Sequence, residues 1–149
     1  MSVTHATFVV ERTYEASPER VFTAFADPRE RGQWFVGPDG WEESGHKFDF
    51  RVGGTESVSG GPPGGPVHHY HATFQDIVPN ERIISSYEMH QDDVRTSVSL
   101  ATVEFHHDGT GTRLVYTEQG AWLDGIDSAE SREEGTSVLL DQLGVHLKG

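Results

Sequence analysis

The feature that most constrains the fold is an alternation of apolar and polar residues across residues 41–119. A period of two is typical of β-strands with one buried face. We therefore predict strands at residues 47–52, 67–78, 82–89, 94–105 and 112–118, preceded by another at residues 7–15. The connections between the later strands are short and turn-forming, so consecutive strands are expected to pair antiparallel.

Helix-capping motifs mark two short helices between the first strand and this region. Ser17-Pro18 and Asp27-Pro28 each combine a side chain that accepts from free helix amides with a proline suited to the first turn. They predict helices at residues 18–26 and 28–35. The second of these helices ends in the aromatic pair Trp34 and Phe35.

A third helix is predicted at the C-terminal end of the chain. Residues 127–130 (Asp-Ser-Ala-Glu) form a capping signal, and Leu139, Leu143 and Leu147 then recur at four-residue spacing. The order of elements gives an α+β fold in which this long helix lies across one face of a curved antiparallel sheet.

The length of 149 residues fits one domain spanning residues 1–149. The alternation is interrupted at residues 53–66, where glycine and proline are concentrated. Such a segment cannot pack a core, and we predict a flexible loop there, at the mouth of a cavity.

The charge of the chain narrows the classes of partner. With 24 acidic against 11 basic side chains, the formal net charge is -13, which disfavours nucleic acid and anionic membrane surfaces. The N-terminal residues lack the features of a signal peptide, and no apolar stretch would cross a bilayer, so we expect a cytoplasmic protein. The absence of cysteine removes thiolate chemistry, and no cofactor is predicted.

Several short motifs, taken in their order along the chain, make this sequence resemble the family of activators of heat-shock protein 90 ATPase homologues, within the START-related superfamily. The resemblance rests on segments distributed over almost the whole chain: residues 17–22, 27–28, 34–38, 48–54, 76–83, 102–105, 111–114, 134–135 and 140–143. It implies a helix-grip fold like that of the birch-pollen allergen, with a cavity between the sheet and the last helix. Members of the superfamily bind lipids, polyketides, flavonoids or other apolar molecules.

The resemblance also bears on partners. The eukaryotic co-chaperones of this family carry an additional N-terminal domain, for which this chain has no room, so a chaperone interaction is not expected. A homodimer is an open alternative to a monomer.

The predicted cavity walls are formed by strand residues whose side chains point inward and by residues of the helices. The candidate wall residues are Trp34, Phe35, Phe50, Tyr70, Phe74, Tyr87, Tyr116, Glu118, Leu139 and Leu143. The three tyrosines would offer hydroxyls to a polar group on the ligand, or would be ordinary core residues. Glu118 follows Tyr116 on the same inward phase, where it would act as a general base or be a solvated strand-end glutamate.

A metal site is not predicted. His69 and His71 share one strand face, but a third ligand would have to come from elsewhere, and the histidines are expected to face solvent. No nucleophile elbow or phosphate-binding loop is present.

The sequence therefore leaves three possible functions. The leading hypothesis is a non-catalytic protein that binds a small hydrophobic molecule. The first alternative is a polyketide cyclase-like or hydrolase-like enzyme with Glu118 as acid or base. The second is a module associated with a chaperone ATPase.

Overall fold

Seven antiparallel strands form one sheet in a computed structural model that describes all of residues 1–149. The strands are β1 (Val3–Tyr14), β2 (Glu42–Phe48), β3 (Thr55–Gly61), β4 (His68–Val78), β5 (Arg82–Gln91), β6 (Val94–Asp108) and β7 (Gly111–Leu123). Their spatial order is β1-β7-β6-β5-β4-β3-β2. Strands β2 to β7 thus form the predicted meander, and β1 returns to pair with β7.

Two short helices, α1 (Pro18–Ala26) and α2 (Pro28–Trp34), join β1 to β2. The Ser17 hydroxyl accepts from the amide of Arg20 at 3.1 Å, and Asp27 Oδ1 accepts from the amides at positions 29 and 30. Both cap residues and both first-turn prolines are as predicted, because the capping signal is local and needs no tertiary partner.

The C-terminal helix α3 (Ala129–Lys148) lies across the sheet on the β1 side. The Tyr14 hydroxyl donates to the carbonyl of Leu140 at 2.7 Å, which ties the helix to β1. The predicted α+β helix-grip arrangement is confirmed. The buried residues of α3 are Thr136, Leu140 and Leu143, so the core-facing stripe is rotated from the predicted leucine spacing.

The hydrophobic core fills the space between the sheet, α1, α2 and the second half of α3. Phe25 makes edge contacts with Trp34 and Phe105, at ring-centroid distances of 4.8 and 5.4 Å. Phe22 extends the cluster to Phe105 and to Phe50. Such aromatic pairs add to the free energy gained from burying their area.

The prediction of a flexible loop at residues 53–66 is wrong over half of its length. Strand β3 occupies Thr55–Gly61 and pairs with β2 on one side and β4 on the other. The hydrogen bonds to both neighbouring strands satisfy the backbone amides and carbonyls of this segment, although its side chains have little preference for a strand. The predicted strand at 47–52 is correspondingly displaced, since β2 ends at Phe48 and Phe50 lies in the turn that follows.

None of the three helices is both long and apolar enough to cross a bilayer.

Candidate functional site: a cavity between the sheet and the C-terminal helix

A cavity of about 640 Å³ lies between the inner face of the sheet, α3 and the segment that follows α2. Its 30 lining residues include 18 hydrophobic ones, so its walls are mainly apolar. Size and character both match the usual properties of small-molecule sites.

Alternating residues of β4, β5 and β6 form the floor of the cavity. Strand β5 contributes Ile83, Ser85, Tyr87 and Met89, all on one face of the strand. The neighbouring strands add Tyr70 and Phe74 from β4, and Ala101 and Val103 from β6. The side-chain period of a strand thus places one face of each of these strands against the ligand space.

The end of α2 and the residues after it close one side. Trp34 is nearly fully buried and its indole nitrogen donates to the carbonyl of Ala24 at 2.8 Å. Phe35 meets Tyr70 edge-on at 5.3 Å, and Phe50 meets Phe74 at 5.1 Å. Both aromatic pairs lie on the cavity wall.

Helix α3 supplies the opposite wall through Arg132, Gly135, Val138 and Leu139, with part of Leu140. Leu143 is fully buried and is not among the lining residues. Its predicted place on the wall is wrong. Leu143 lies about one turn beyond Leu139 along the helix, and at that level α3 packs against the hydrophobic core.

Glu118 is also absent from the lining, and its predicted place on the wall is wrong. The side chain is fully buried behind two tyrosines, whose hydroxyls donate to its carboxylate. Tyr87 lies 2.8 and 2.7 Å from the two oxygens, and Tyr116 lies 2.9 Å from Oε1. Arg132 is 3.4 Å from Oε2. Both oxygens of the carboxylate are therefore held by protein groups.

Arg132 completes this buried network. One of its nitrogens donates to the Tyr87 hydroxyl at 2.7 Å, and the other donates to Ser97 and Asp127, each at 3.0 Å. Burial would lower the pKa of Arg132, but Tyr87, Glu118 and Asp127 outweigh it and raise that pKa above its usual range. Arg132 is therefore a charged group with its charge balanced inside the protein.

A second buried ion pair closes the other side of the cavity. Arg31 donates to Glu56 through two nitrogens at 3.0 and 2.7 Å, and His46 lies 3.0 Å from the same carboxylate. Four aromatic rings surround the guanidinium, and the ring centroid of Phe35 is 3.9 Å away. Burial would raise the pKa of Glu56, but Arg31 and His46 together hold it below its ordinary value of 4.5.

Comparison with known proteins identifies the family and the fold of this chain. A family model described as Activator of Hsp90 ATPase homolog 1-like protein matches residues 15–148. The chain belongs to this family. The predicted family is thus confirmed, and the arrangement is that of the START-related helix-grip superfamily.

Solved structures of bacterial proteins show the same architecture as this member of the Hsp90 ATPase activator homolog family. A protein from Rhizobium loti is 51% identical, with a TM-score of 0.91 and 98% of this chain and 99% of that chain covered. A protein from Rhizobium leguminosarum is 42% identical, with a TM-score of 0.93 and coverage of 99% and 97%. A protein from Chromobacterium violaceum is 26% identical, with a TM-score of 0.80 and coverage of 96% and 97%. No curated protein matches the chain.

Three charged residues of the site were missed by sequence reasoning in this family member: Arg31, Glu56 and Arg132. Arg132 carried a usable signal, because it precedes Gly135 by three residues and Leu139 by seven, on the helix face assigned to the cavity. Glu56 carried none, since it lies among serines and glycines that resemble a loop.

Two of the three histidines of β4, His68 and His69, are engaged in other contacts. His69 Nδ1 lies 2.6 Å from the Ser59 hydroxyl, and the His68 ring stacks on Trp41 at 5.0 Å. No group of three or more histidine, aspartate or glutamate side chains is placed to share an ion. Trp41 and His68 belong to the cavity lining instead.

Proposed function

We propose that this protein binds a small hydrophobic molecule in the cavity between its sheet and α3, as a lipid-, polyketide- or flavonoid-binding protein. The observation that carries the proposal is an internal space of about 640 Å³ whose lining is mainly aliphatic and aromatic. Removing apolar ligand surface from water contributes about 25 cal/mol per Å², so such walls favour an apolar guest.

The aromatic residues of the wall also favour a ligand with a flat ring system. Phe35, Tyr70 and Tyr87 form a continuous edge-to-face and tilted series along one side, with neighbouring ring centroids 5.3 and 5.1 Å apart. Rings at these distances interact favourably, and a bound aromatic molecule would extend the same packing.

The position of Glu118 favours binding over acid–base catalysis. A general base must reach the proton that it removes, at about 2.6–3.2 Å or through one water. Glu118 is fully buried, lies outside the lining, and has its oxygens occupied by Tyr87 and Tyr116. This geometry supports a structural role for the carboxylate.

The test uses a matched pair of substitutions on β5. Ser85 lines the cavity, whereas the adjacent Ser86 is on the other face of the strand, where its hydroxyl accepts from Gln75 at 3.0 Å. Ser85→Phe should fill part of the cavity. Ser86→Phe adds the same ring at a neighbouring position and leaves the cavity open.

Purified protein would be screened by thermal shift against fatty acids, flavonoids and naphthols, with native mass spectrometry to measure stoichiometry. We expect at least one class to raise the melting temperature of the wild type and of Ser86→Phe, since a ligand that binds only the folded state stabilises it by mass action. Ser85→Phe should lose that response. An equal response from Ser85→Phe, or no response to any class, would contradict the proposal.

A further inference from the structure

The three tyrosines of the cavity differ in what their hydroxyls do. Tyr87 and Tyr116 donate to Glu118, and Tyr87 also accepts from Arg132. The Tyr70 hydroxyl has no hydrogen-bond partner in the protein, although its ring lies on the cavity wall. Tyr70 is half-buried, and an unpaired hydroxyl on the wall of a ligand site is a candidate for bonding the ligand.

The surroundings of Tyr70 hold its ring in place and keep its hydroxyl protonated. Its ring is held between Phe35 and Tyr87, which restricts the direction in which the hydroxyl points. Burial, followed by the charge of Glu56, raises the pKa of Tyr70 well above its ordinary value of 10. The phenol is therefore protonated at neutral pH and has a hydrogen to donate.

Neither guanidinium of the cavity is free to bind an anionic ligand. The guanidinium of Arg31 is paired with both oxygens of Glu56. The guanidinium of Arg132 is bound by Tyr87, Ser97 and Asp127, with Glu118 nearby. A carboxylate or phosphate entering this apolar space would lose its hydration without gaining an unpaired guanidinium partner.

The two fully buried carboxylates beside the cavity are occupied in the same way. Glu56 is paired with Arg31, and Glu118 is paired with Arg132 and accepts from two tyrosines. An ammonium group on a ligand would compete with existing partners for these carboxylates. Glu43 at the cavity wall is exposed and accepts from the amide of Gly37 at 2.9 Å.

We propose, resting on the proposed function, that the ligand is an uncharged molecule whose apolar or aromatic body carries one carbonyl-type acceptor oxygen, which takes the hydrogen bond of the Tyr70 hydroxyl. The apolar lining holds the body of the ligand, and Tyr70 selects its oxygen. Ketones, esters, lactones and quinones have this chemistry, whereas fatty acids and amines do not.

Four naphthalenes of nearly equal size test the proposal: 2-acetylnaphthalene, 2-ethylnaphthalene, 2-naphthoate and 1-(2-naphthyl)ethylamine. Their dissociation constants would be measured at pH 7 by quenching of tryptophan fluorescence, since Trp34 and Trp41 line the cavity. The proteins are the wild type, Tyr70→Phe and, as the matched control, Tyr116→Phe, whose hydroxyl already donates to Glu118.

We expect Tyr70→Phe to weaken the ketone roughly three- to tenfold, the range for one hydrogen bond, and to leave the ethyl compound unchanged. Tyr116→Phe should leave the ratio of the two affinities unchanged. The carboxylate and the amine should each bind the wild type at least about tenfold more weakly than the ketone, because each loses hydration in an apolar space whose two buried ion pairs are already formed.

The outcomes separate the two proposals. If none of the naphthalenes binds, the proposed function is contradicted as well. The role of Tyr70 is overturned if the ethyl compound binds but Tyr70→Phe weakens its binding and that of the ketone equally. It is also overturned if Tyr116→Phe causes the same ketone-specific loss of affinity. In both cases the cavity proposal stands. Binding of the carboxylate or the amine as tight as that of the ketone overturns the assignment of an uncharged ligand.

Discussion

Arg31 and Glu56, which are 25 positions apart in the chain, form a two-point ion pair that joins α2 to β3 beside the cavity. The carboxylate is fully buried and the guanidinium nearly so, with relative side-chain exposures of 0% and 9%. A strand with few apolar side chains is thus attached to a helix by charge and hydrogen bonding, inside a ring of aromatic residues.

The first prediction concerns the stability that this pair contributes. Arg31→Met and Glu56→Leu should each lower the free energy of unfolding by about 3–5 kcal/mol, because each leaves a buried charge without a partner. The double variant should lose less than either single one, since both charges are then gone. Urea denaturation measures all three.

The control for that experiment is the exposed pair Arg51–Asp49. Arg51→Met should change the free energy of unfolding by about 1 kcal/mol or less, as is usual for surface ion pairs. A double variant at 31 and 56 that is as unstable as the sum of its single variants would contradict the interpretation.

The second prediction is a dependence on pH. The pKa of Glu56 in the folded protein lies below its ordinary value of 4.5, so protonation favours the unfolded state. The stability that Glu56 supplies should be complete above that value and should be lost as the pH falls below it, through the folded pKa. Urea denaturation of the wild type and Glu56→Gln between pH 7 and pH 3 should show a stability difference that narrows below about pH 4.5. A difference that stays constant or widens toward low pH would rule out this linkage.

The third prediction tests whether Glu118 has a structural or a catalytic role. Glu118→Gln should lower the free energy of unfolding by about 3 kcal/mol, because it removes a buried charge that balances Arg132. Ligand affinity should stay within about threefold of the wild type, since the side chain does not line the cavity.

Glu104→Gln is the matched control for Glu118→Gln. Glu104 is a half-exposed glutamate on β6, and its substitution should change the free energy of unfolding by no more than about 0.5 kcal/mol. A large loss of affinity or of a measured turnover by Glu118→Gln, at unchanged stability, would point to a direct role in chemistry.

The fourth prediction tests the turn between β2 and β3, which carries Phe50 to the cavity. A Cβ at Gly54 would lie 2.1 Å from the carbonyl oxygen of Asp49, a backbone atom that cannot move aside. Gly54→Ala should therefore lower the free energy of unfolding by about 2 kcal/mol or more, measured by urea denaturation.

Gly32→Ala in α2 meets no atom within 4 Å and serves as the control. It should be neutral or stabilising by up to about 1 kcal/mol, because alanine favours the helix. Equal stability of the two alanine variants would show that the turn relaxes without loss.

The sequence by itself determined the features that depend on neighbouring residues. Ser17 and Asp27 cap the first two helices as their spacing predicts, and Ser128, within the predicted signal at residues 127–130, caps the third, since capping is completed within one turn. The period of two similarly predicted β4 to β7 and put Tyr70 and Tyr87 on the cavity face, because a strand alternates its side chains whatever its partner is.

Only the tertiary structure decided the features that depend on a distant partner. Strand β3 forms because β2 and β4 both pair with it, and Glu56 is buried because Arg31 meets it there. Leu143 faces the core rather than the cavity because the packing of α3 against β1 sets the rotation of the helix. Periodicity shows which residues share a face, but the contacts made on folding determine what each face meets.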